Sequence, residues 1–161
     1  MSDVKSVLNL IKEKEVQYVD FRFTNPAGKW QHTAQHVSTV DEEMLTKGIM
    51  FDGSSIQGWK SIDESDMTLV PDLSTAVMDP FTAQPQLILF CDVYEPSTGK
   101  PYHRDPRSIA NAALAHMKSS GIADTAFFGP EAEFFVFNDV KYDSGSNFAF
   151  HEVDSIEGAW N

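Results

Sequence analysis

The sequence predicts an α+β fold on three observations. Apolar residues at helical spacing open the chain, later segments alternate with period two, and a further, well-punctuated helix stands among turn-rich stretches. In residues 3–14, Val4, Val7, Leu8 and Ile11 recur at helical spacing. Ser2 is the expected N-cap, and Asp3, Lys12 and Lys14 are placed to suit the helix dipole. The period then changes. In VQYVDFRF (16–23), Val19, Phe21 and Phe23 share one face and Tyr18, Asp20 and Arg22 the other, the pattern of a half-buried strand. NPAGK (25–29) is turn chemistry and WQHTAQH (30–36) alternates again, so the pair reads as a β-hairpin.

STVDEEMLTKG (38–48) has the marks of a short helix, with a capping box from Thr39 to Glu42 and a stop at Gly48. MTLVPD (67–72) and QLILFCDV (86–93) are further strands, joined by a loop-like DLSTAVMDPFTAQP. The first ninety-odd residues thus predict a mainly antiparallel sheet with a helix or two packed on it. YEPSTGKPYHRDP (94–106) is rich in turn formers and marks a domain boundary, giving domains 1–100 and 101–161. The next helix is capped by Asp105, carries Pro106 in its first turn and stops before Gly121, with Ile109, Ala113 and Met117 as its apolar stripe. TAFFGPEAEFFVF follows as strand, and NDVKYDSGSN as a turn-rich hairpin region.

Composition narrows the function. The net charge is −12, from 24 acidic against 12 basic residues, so the expectation is no nucleic-acid and no membrane partner. The single cysteine, Cys91, lies in an apolar run and reads as a buried small hydrophobe, which suits a reducing, cytoplasmic location. The N-terminal stretch has no apolar core long enough for a signal peptide, and no later run approaches membrane-span length.

One strand poses a chemical problem. GPEAEFFVF (129–137) carries Glu131 and Glu133 on one face, with Ala132, Phe134 and Val136 opposite. The strand is apolar enough to be buried, and a buried carboxylate without a partner costs several kcal/mol or is driven neutral. Buried arginines could neutralise the pair, the glutamate side could be open to water, or both residues could ligate hard divalent cations. A second stretch, FDGSSIQGWKSIDESD (51–66), lacks periodicity yet holds Phe51, Ile56 and Trp59. It reads either as a structured loop that tucks Trp59 into the core or as a flap that carries Asp52 or Asp66 into an active site.

These two stretches together resemble glutamine synthetases of the bacterial type I family. The signature here runs Phe51-Asp52-Gly53-Ser54-Ser55, then Glu64-Ser65-Asp66 and Leu69, and GPEAEFF is similar to the start of that family's catalytic barrel. The resemblance covers essentially the whole chain. It implies a β-grasp N-terminal domain followed by the opening helix and strands of a larger catalytic domain. It implies ATP-dependent joining of glutamate and ammonium through γ-glutamyl phosphate. Glu131 and Glu133 would each ligate one of two Mg²⁺ or Mn²⁺ ions. Asp52 would help bind ammonium and remove its proton, and Asp66 would line the same site. The subunits of the family form two stacked hexameric rings, and the loop bearing Asp52 reaches a neighbour's active site.

The same resemblance implies that further metal ligands, glutamate-binding arginines, most of the ATP pocket and a regulatory adenylylation tyrosine lie beyond Asn161. The expectation is therefore a fragment: a complete β-grasp domain with an unfinished catalytic domain, inactive by itself, whose strands at 124–137 expose unpaired edges. His151, Glu152, Asp154 and Glu157 lack metal-ligand spacing and read as surface or interface residues. His32 and His36 share a strand face and read as solvated, and Trp30, Trp59 and Trp160 as packing residues. Two other functions fit the sequence: a γ-glutamyl ligase for an amine other than ammonia, and a non-catalytic β-grasp interaction module.

Overall fold

In a computed structural model, which describes residues 3–159, the first helix, α1, spans Val4–Glu13. Its cap is Asp3, whose Oδ1 accepts from the Ser6 amide and hydroxyl, both at 2.8 Å. The expected cap, Ser2, lies outside the described residues. Val7 and Ile11 are buried, with Val4 and Leu8 packed beside them, so the helical stripe read from the sequence is the face that meets the core. The chain divides into two compact units, residues 1–125 and 126–161.

The first unit is a mixed sheet. β1 (Tyr18–Thr24) and β2 (Trp30–His36) form the expected hairpin, with Val19 opposite Gln35 and Thr24 opposite Trp30. After it, α2 (Glu42–Lys47) is capped by Asp41, which accepts from the Met44 amide at 2.8 Å. This corrects the capping box. The helix starts at Glu42, so Thr39 lies two residues too early, and its hydroxyl bonds instead to the His36 carbonyl at 2.8 Å. Gly48 ends the helix with φ 85°, a conformation that costs glycine nothing.

Four further strands follow, with one more after a long turn. β3 (Ile49–Asp52) takes in residues the sequence pattern left to a loop, β4 is Asp66–Pro71, β5 is Val77–Met78, β6 is Gln86–Glu95 and β7 is Lys100–Pro101. The sheet order is β2-β1-β6-β4-β3, and the short β5 and β7 pair with β6. All pairs are antiparallel except β1 with β6 at the centre, where Val19 faces Leu87 and Phe21 faces Leu89. That register aligns one apolar row across the sheet: Val19, Phe21 and Phe23, then Leu87, Leu89, Cys91 and Val93, then Met67 and Leu69. The row packs with Val7, Ile11 and Leu45 from the helices into one core. Cys91 is fully buried, as expected, and burial first, then the neighbouring Asp92, pushes its thiol pKa far up.

The other face of β1 is not the solvated face that alternation predicts. Asp20 is fully buried. Its Oδ2 accepts from Arg22 Nε at 2.7 Å, its Oδ1 lies 2.7 Å from His32 Nδ1, and Arg22 Nη2 donates onward to Asp79 at 2.7 Å. Burial opposes the Arg22 charge, but the two carboxylates outweigh it and hold the guanidinium pKa above its ordinary value. Arg22 also lies over the Trp30 ring, 5.8 Å from its centroid.

Helix α3 (Pro106–Ser119) begins as the sequence predicts. Asp105 is fully buried and accepts from the Arg107 and Ser108 amides and the Ser108 hydroxyl, while its Oδ2 also takes the Val93 amide of β6 at 3.2 Å. One carboxylate thus caps the helix and fixes it to the central strand. Arg107 bridges Asp92 at 2.8 Å and Asp72 at 2.7 Å. The stripe of α3 itself is uncovered, with Ile109 56% exposed.

The second unit is simpler. Residues 125–137 form neither helix nor strand and pair with no strand among the described residues, so the expected strand is not formed there: a strand needs a ladder partner for its amides and carbonyls. Phe134 and Phe135 are exposed. β8 (Asp139–Ser144) and β9 (Ala149–Asp154) form the expected hairpin, extended by Asn138 N to Asp154 O at 2.7 Å. No helix among the described residues is long and apolar enough to cross a membrane.

Asp105→Ala removes a cap worth about 1 kcal/mol and strands the buried Val93 amide. Chemical denaturation of the variant should show a loss of roughly 3 kcal/mol, with Asp105→Asn losing clearly less because one side-chain oxygen still accepts.

Candidate functional site

The β3–β4 ladder ends on two carboxylates. Asp52 and Asp66 are direct cross-strand partners, and both are exposed. Like charges facing each other across a ladder are unfavourable, so nothing in sheet stability selects this pair. The segment between them turns on Gly53, whose amide donates to Ser65 O at 2.7 Å and so closes the mouth of the loop. A Cβ on Gly53 would stand 2.5 Å from Met67 Cγ, inside the core, and 3.1 Å from Ser65 O. Only glycine lets β3 turn into the loop without displacing Met67.

Asp52 is held in place by its own loop. Its Oδ1 accepts from the Ser54 hydroxyl at 2.6 Å and the Ser54 amide at 2.8 Å. The Ser54 hydroxyl first, then its amide, stabilise the charged form and hold the Asp52 pKa below the usual carboxylate range. Asp52 is therefore an oriented anion at neutral pH. Asp66 lines a cleft of about 580 Å³, with Asp63, Glu64 and Ser65 from the loop, Glu95 from the end of β6 and Pro96 just after it. The one cation in its wall, Lys60, is paired with Glu95 at 2.7 Å. A cleft with this excess of acid attracts small cations and repels anions.

The loop is structured. Three short 3₁₀ turns, Gly53–Ser55, Ile62–Glu64 and, beyond β4, Leu73–Thr75, replace the irregular chain that the pattern suggests. Trp59 is 5% exposed and packs against Phe23, Phe51 and Tyr102, with centroids 5.5, 6.2 and 5.5 Å away. The core-packing reading of Trp59 therefore holds, and the same loop also carries the carboxylates. Sequence reasoning missed the groups that hold it from outside, Glu95 on Lys60 and Tyr102 and Arg104 on the main chain. The only trace of Tyr102 and Arg104 in the sequence is the aromatic and cationic cluster in KPYHRDP.

Glu131 and Glu133 belong to the second unit. Both lie on the unpaired segment of the second unit and both are exposed, so the expectation of a buried strand carrying them is corrected. Exposure removes the desolvation problem: neither needs a buried arginine. Carboxylates are the right donor class for Mg²⁺ or Mn²⁺, but two supply only part of a six-oxygen shell. Among the described residues no group of three or more potential ligands gathers to complete one. His151, Glu152, Asp154 and Glu157 are exposed on or after β9, and Glu152 contacts Lys141 at 3.4 Å. His32 pairs with Asp20, and His36 Nδ1 accepts from Ser38 N at 3.2 Å.

A helix-backed mixed sheet with an acidic carboxylate pair at one end, followed by a helix and a hairpin, defines an α+β protein with an oriented cation-attracting site. Two family models match it: "Glutamine synthetase, beta-Grasp domain" over residues 15–96 and "Glutamine synthetase, catalytic domain" over residues 103–160. The chain belongs to the glutamine synthetase family. It is 64% identical over 160 residues to the glutamine synthetase of Azospirillum brasilense and 60% identical over 157 residues to that of Methylococcus capsulatus. These alignments take in 99% and 98% of the chain but 34% of each relative, so the chain spans about a third of their length. Among solved structures, Plasmodium falciparum glutamine synthetase matches with a TM-score of 0.73 and 25% identity, over 96% of this chain and 30% of that one. The β-grasp expectation thus agrees with both sequence and structural relatives.

NMR titration should place the Asp52 midpoint below the ordinary value of about 3.9. Ser54→Ala removes the hydroxyl bond and leaves the amide bond, so the midpoint should rise part of the way back. An unmoved midpoint would show that the hydroxyl does not hold the carboxylate.

Proposed function

We propose that this chain is part of an enzyme that ligates ammonium to the γ-carboxylate of glutamate. ATP is the co-substrate, γ-glutamyl phosphate the intermediate, and glutamine, ADP and phosphate the products. The observation that carries the reading is the register of Asp52 against Asp66 at an acidic cleft, in a chain of this family. In this reading residues 1–100 supply the β-grasp part and residues 101–161 open the catalytic part.

The chemistry assigns each group a task. Ammonium is not a nucleophile until it loses a proton. Asp52 attracts the cation and accepts that proton, and Asp66 adds a second negative charge at the same place. A carboxylate with a depressed pKa binds a cation better than it takes a proton. Proton removal by Asp52 therefore needs the γ-glutamyl phosphate beside it, so that the released amine is consumed as it forms. Glu131 and Glu133 each contribute a ligand to one of two Mg²⁺ or Mn²⁺ ions, the rest of each shell coming from elsewhere in the assembled enzyme. When bound, such ions neutralise phosphate charge. The working form is a homo-oligomer of two stacked hexameric rings in the cytoplasm, with the Asp52 loop placed at a neighbouring subunit's site.

The test offers the native, assembled enzyme ATP, glutamate and Mn²⁺ with either ammonium or a series of small amines. Glutamine should be the preferred product, and preference for an amine would replace the substrate assignment. Removing one carboxylate per shell in Glu131→Ala/Glu133→Ala should weaken Mn²⁺ binding by about tenfold or more. Unchanged Mn²⁺ binding would sink the metal assignment.

A further inference from the structure

The loop between β3 and β4 is gripped from outside by two side chains that no part of the proposed chemistry uses. Tyr102 is 1% exposed, and its hydroxyl donates to the Trp59 carbonyl at 3.0 Å. Arg104 Nη1 donates to the Gly58 carbonyl at 2.7 Å and reaches the Trp59 carbonyl at 3.5 Å. Both acceptors are main-chain oxygens of the loop, on consecutive residues, at the point where Gly58 takes φ 85°. The neighbouring Lys60 is fixed by Glu95 at 2.7 Å and lies over the Tyr102 ring, 5.4 Å from its centroid. The loop is thus tied in its middle as well as at its mouth, where Gly53 meets Ser65.

The grip is itself anchored. The Tyr102 amide donates to Val93 O at 2.7 Å, and Asp105 N donates to Tyr102 O at 3.1 Å. Residues 102–105 therefore sit at a fixed place on β6 through the Tyr102 amide and the Asp105 carboxylate, and the Asp105 N to Tyr102 O bond closes the turn between them. Strand β6 is the rigid middle of the sheet, so the loop is referenced to the sheet through Tyr102 and Arg104 rather than through its own ends alone. The edge-on contact of Trp59 with Tyr102 sets how deep the loop sits, and the two carbonyl bonds set its rotation.

We infer that Tyr102 and Arg104 are positioning residues for the Asp52–Asp66 site: together they clamp the Gly58–Trp59 main chain and fix the geometry of the carboxylate pair. The inference rests on the functional reading above for its kinetic consequence and on geometry alone for the clamp. Neither residue touches a reacting atom. Their loss should affect capture of the cation more than turnover of what is captured.

The experiment uses the native, assembled enzyme with Tyr102→Phe, Arg104→Ala and Arg104→Lys. Tyr102→Phe keeps the edge-on ring contact and removes only the hydroxyl. Hydrogen exchange of amides 53–66 should quicken about tenfold in Arg104→Ala, while β1 and β6 amides stay unchanged, because lost local bonds release the loop and not the sheet. KM for ammonium should rise several-fold with KM for ATP and kcat within about twofold, and Arg104→Lys, which still donates to a carbonyl, should recover much of the loss. Unchanged exchange at 53–66 overturns the clamp. Faster exchange with an unmoved KM for ammonium overturns the positioning role. If the unmodified enzyme makes no glutamine, the functional reading falls separately, and the exchange result alone decides the clamp.

Discussion

Strand β6 must satisfy backbone amides and carbonyls along both of its edges over ten residues, and the way it does so organises the first unit. It pairs in parallel with β1 on one side and antiparallel with β4 on the other, and β5 and β7 extend the ladder near its two ends. Leu87, Leu89, Cys91 and Val93 all point to one face and all are fully buried. A one-residue slip of β6 would turn this row outward and bring Ile88, Phe90 and Asp92 into the core. Register here is therefore strongly specified. Everything near the candidate site inherits its position from that strand. β4 is placed by β6, β3 by β4, and the Asp52–Asp66 pair by the β3–β4 register.

The opposite face of β6 is tied by charge. Arg107 pairs with both Asp92 and Asp72, and Arg22 with both Asp20 and Asp79. Each arginine forks between two carboxylates supplied by strand and loop. In a chain this acidic, these two guanidiniums are placed where carboxylates come closest to the sheet. The loop from Asp72 to Asp79 is drawn onto the sheet by both ends of this arrangement, which explains how a stretch without hydrophobic periodicity comes to be ordered.

Local patterns were legible where a local force decides the structure. The α1 stripe, the β1–β2 hairpin, the Gly48 stop and the Asp105–Pro106 start of α3 follow from period, turn chemistry and capping within a few residues. Long-range choices were not legible. The parallel pairing of β1 with β6 joins segments more than sixty residues apart, and nothing in either segment announces direction. The burial of Asp20 needs Arg22, His32 and Asp79 together, and Asp79 comes from a distant loop. The strand expected at 125–137 has the right residues and no ladder partner among the described ones. Of the candidate site, Asp52 and Asp66 were found through FDGSS and ESD, but their opposition was not, because β3 is four residues long and carries no alternation of its own.

The two family matches meet between residues 96 and 103, yet the contacts do not part there. Tyr102 holds the Trp59 carbonyl, Asp105 holds the Val93 amide, and Arg107 holds Asp72 and Asp92. The opening of the catalytic segment is thus part of what finishes the sheet. Gene exchange that joined a foreign catalytic segment at residue 100 would leave two acids facing each other without their arginine and a buried indole loop without its ring neighbour. A junction placed after α3 would keep all of these together. The structural module in this chain is consequently larger than the β-grasp sheet by one helix.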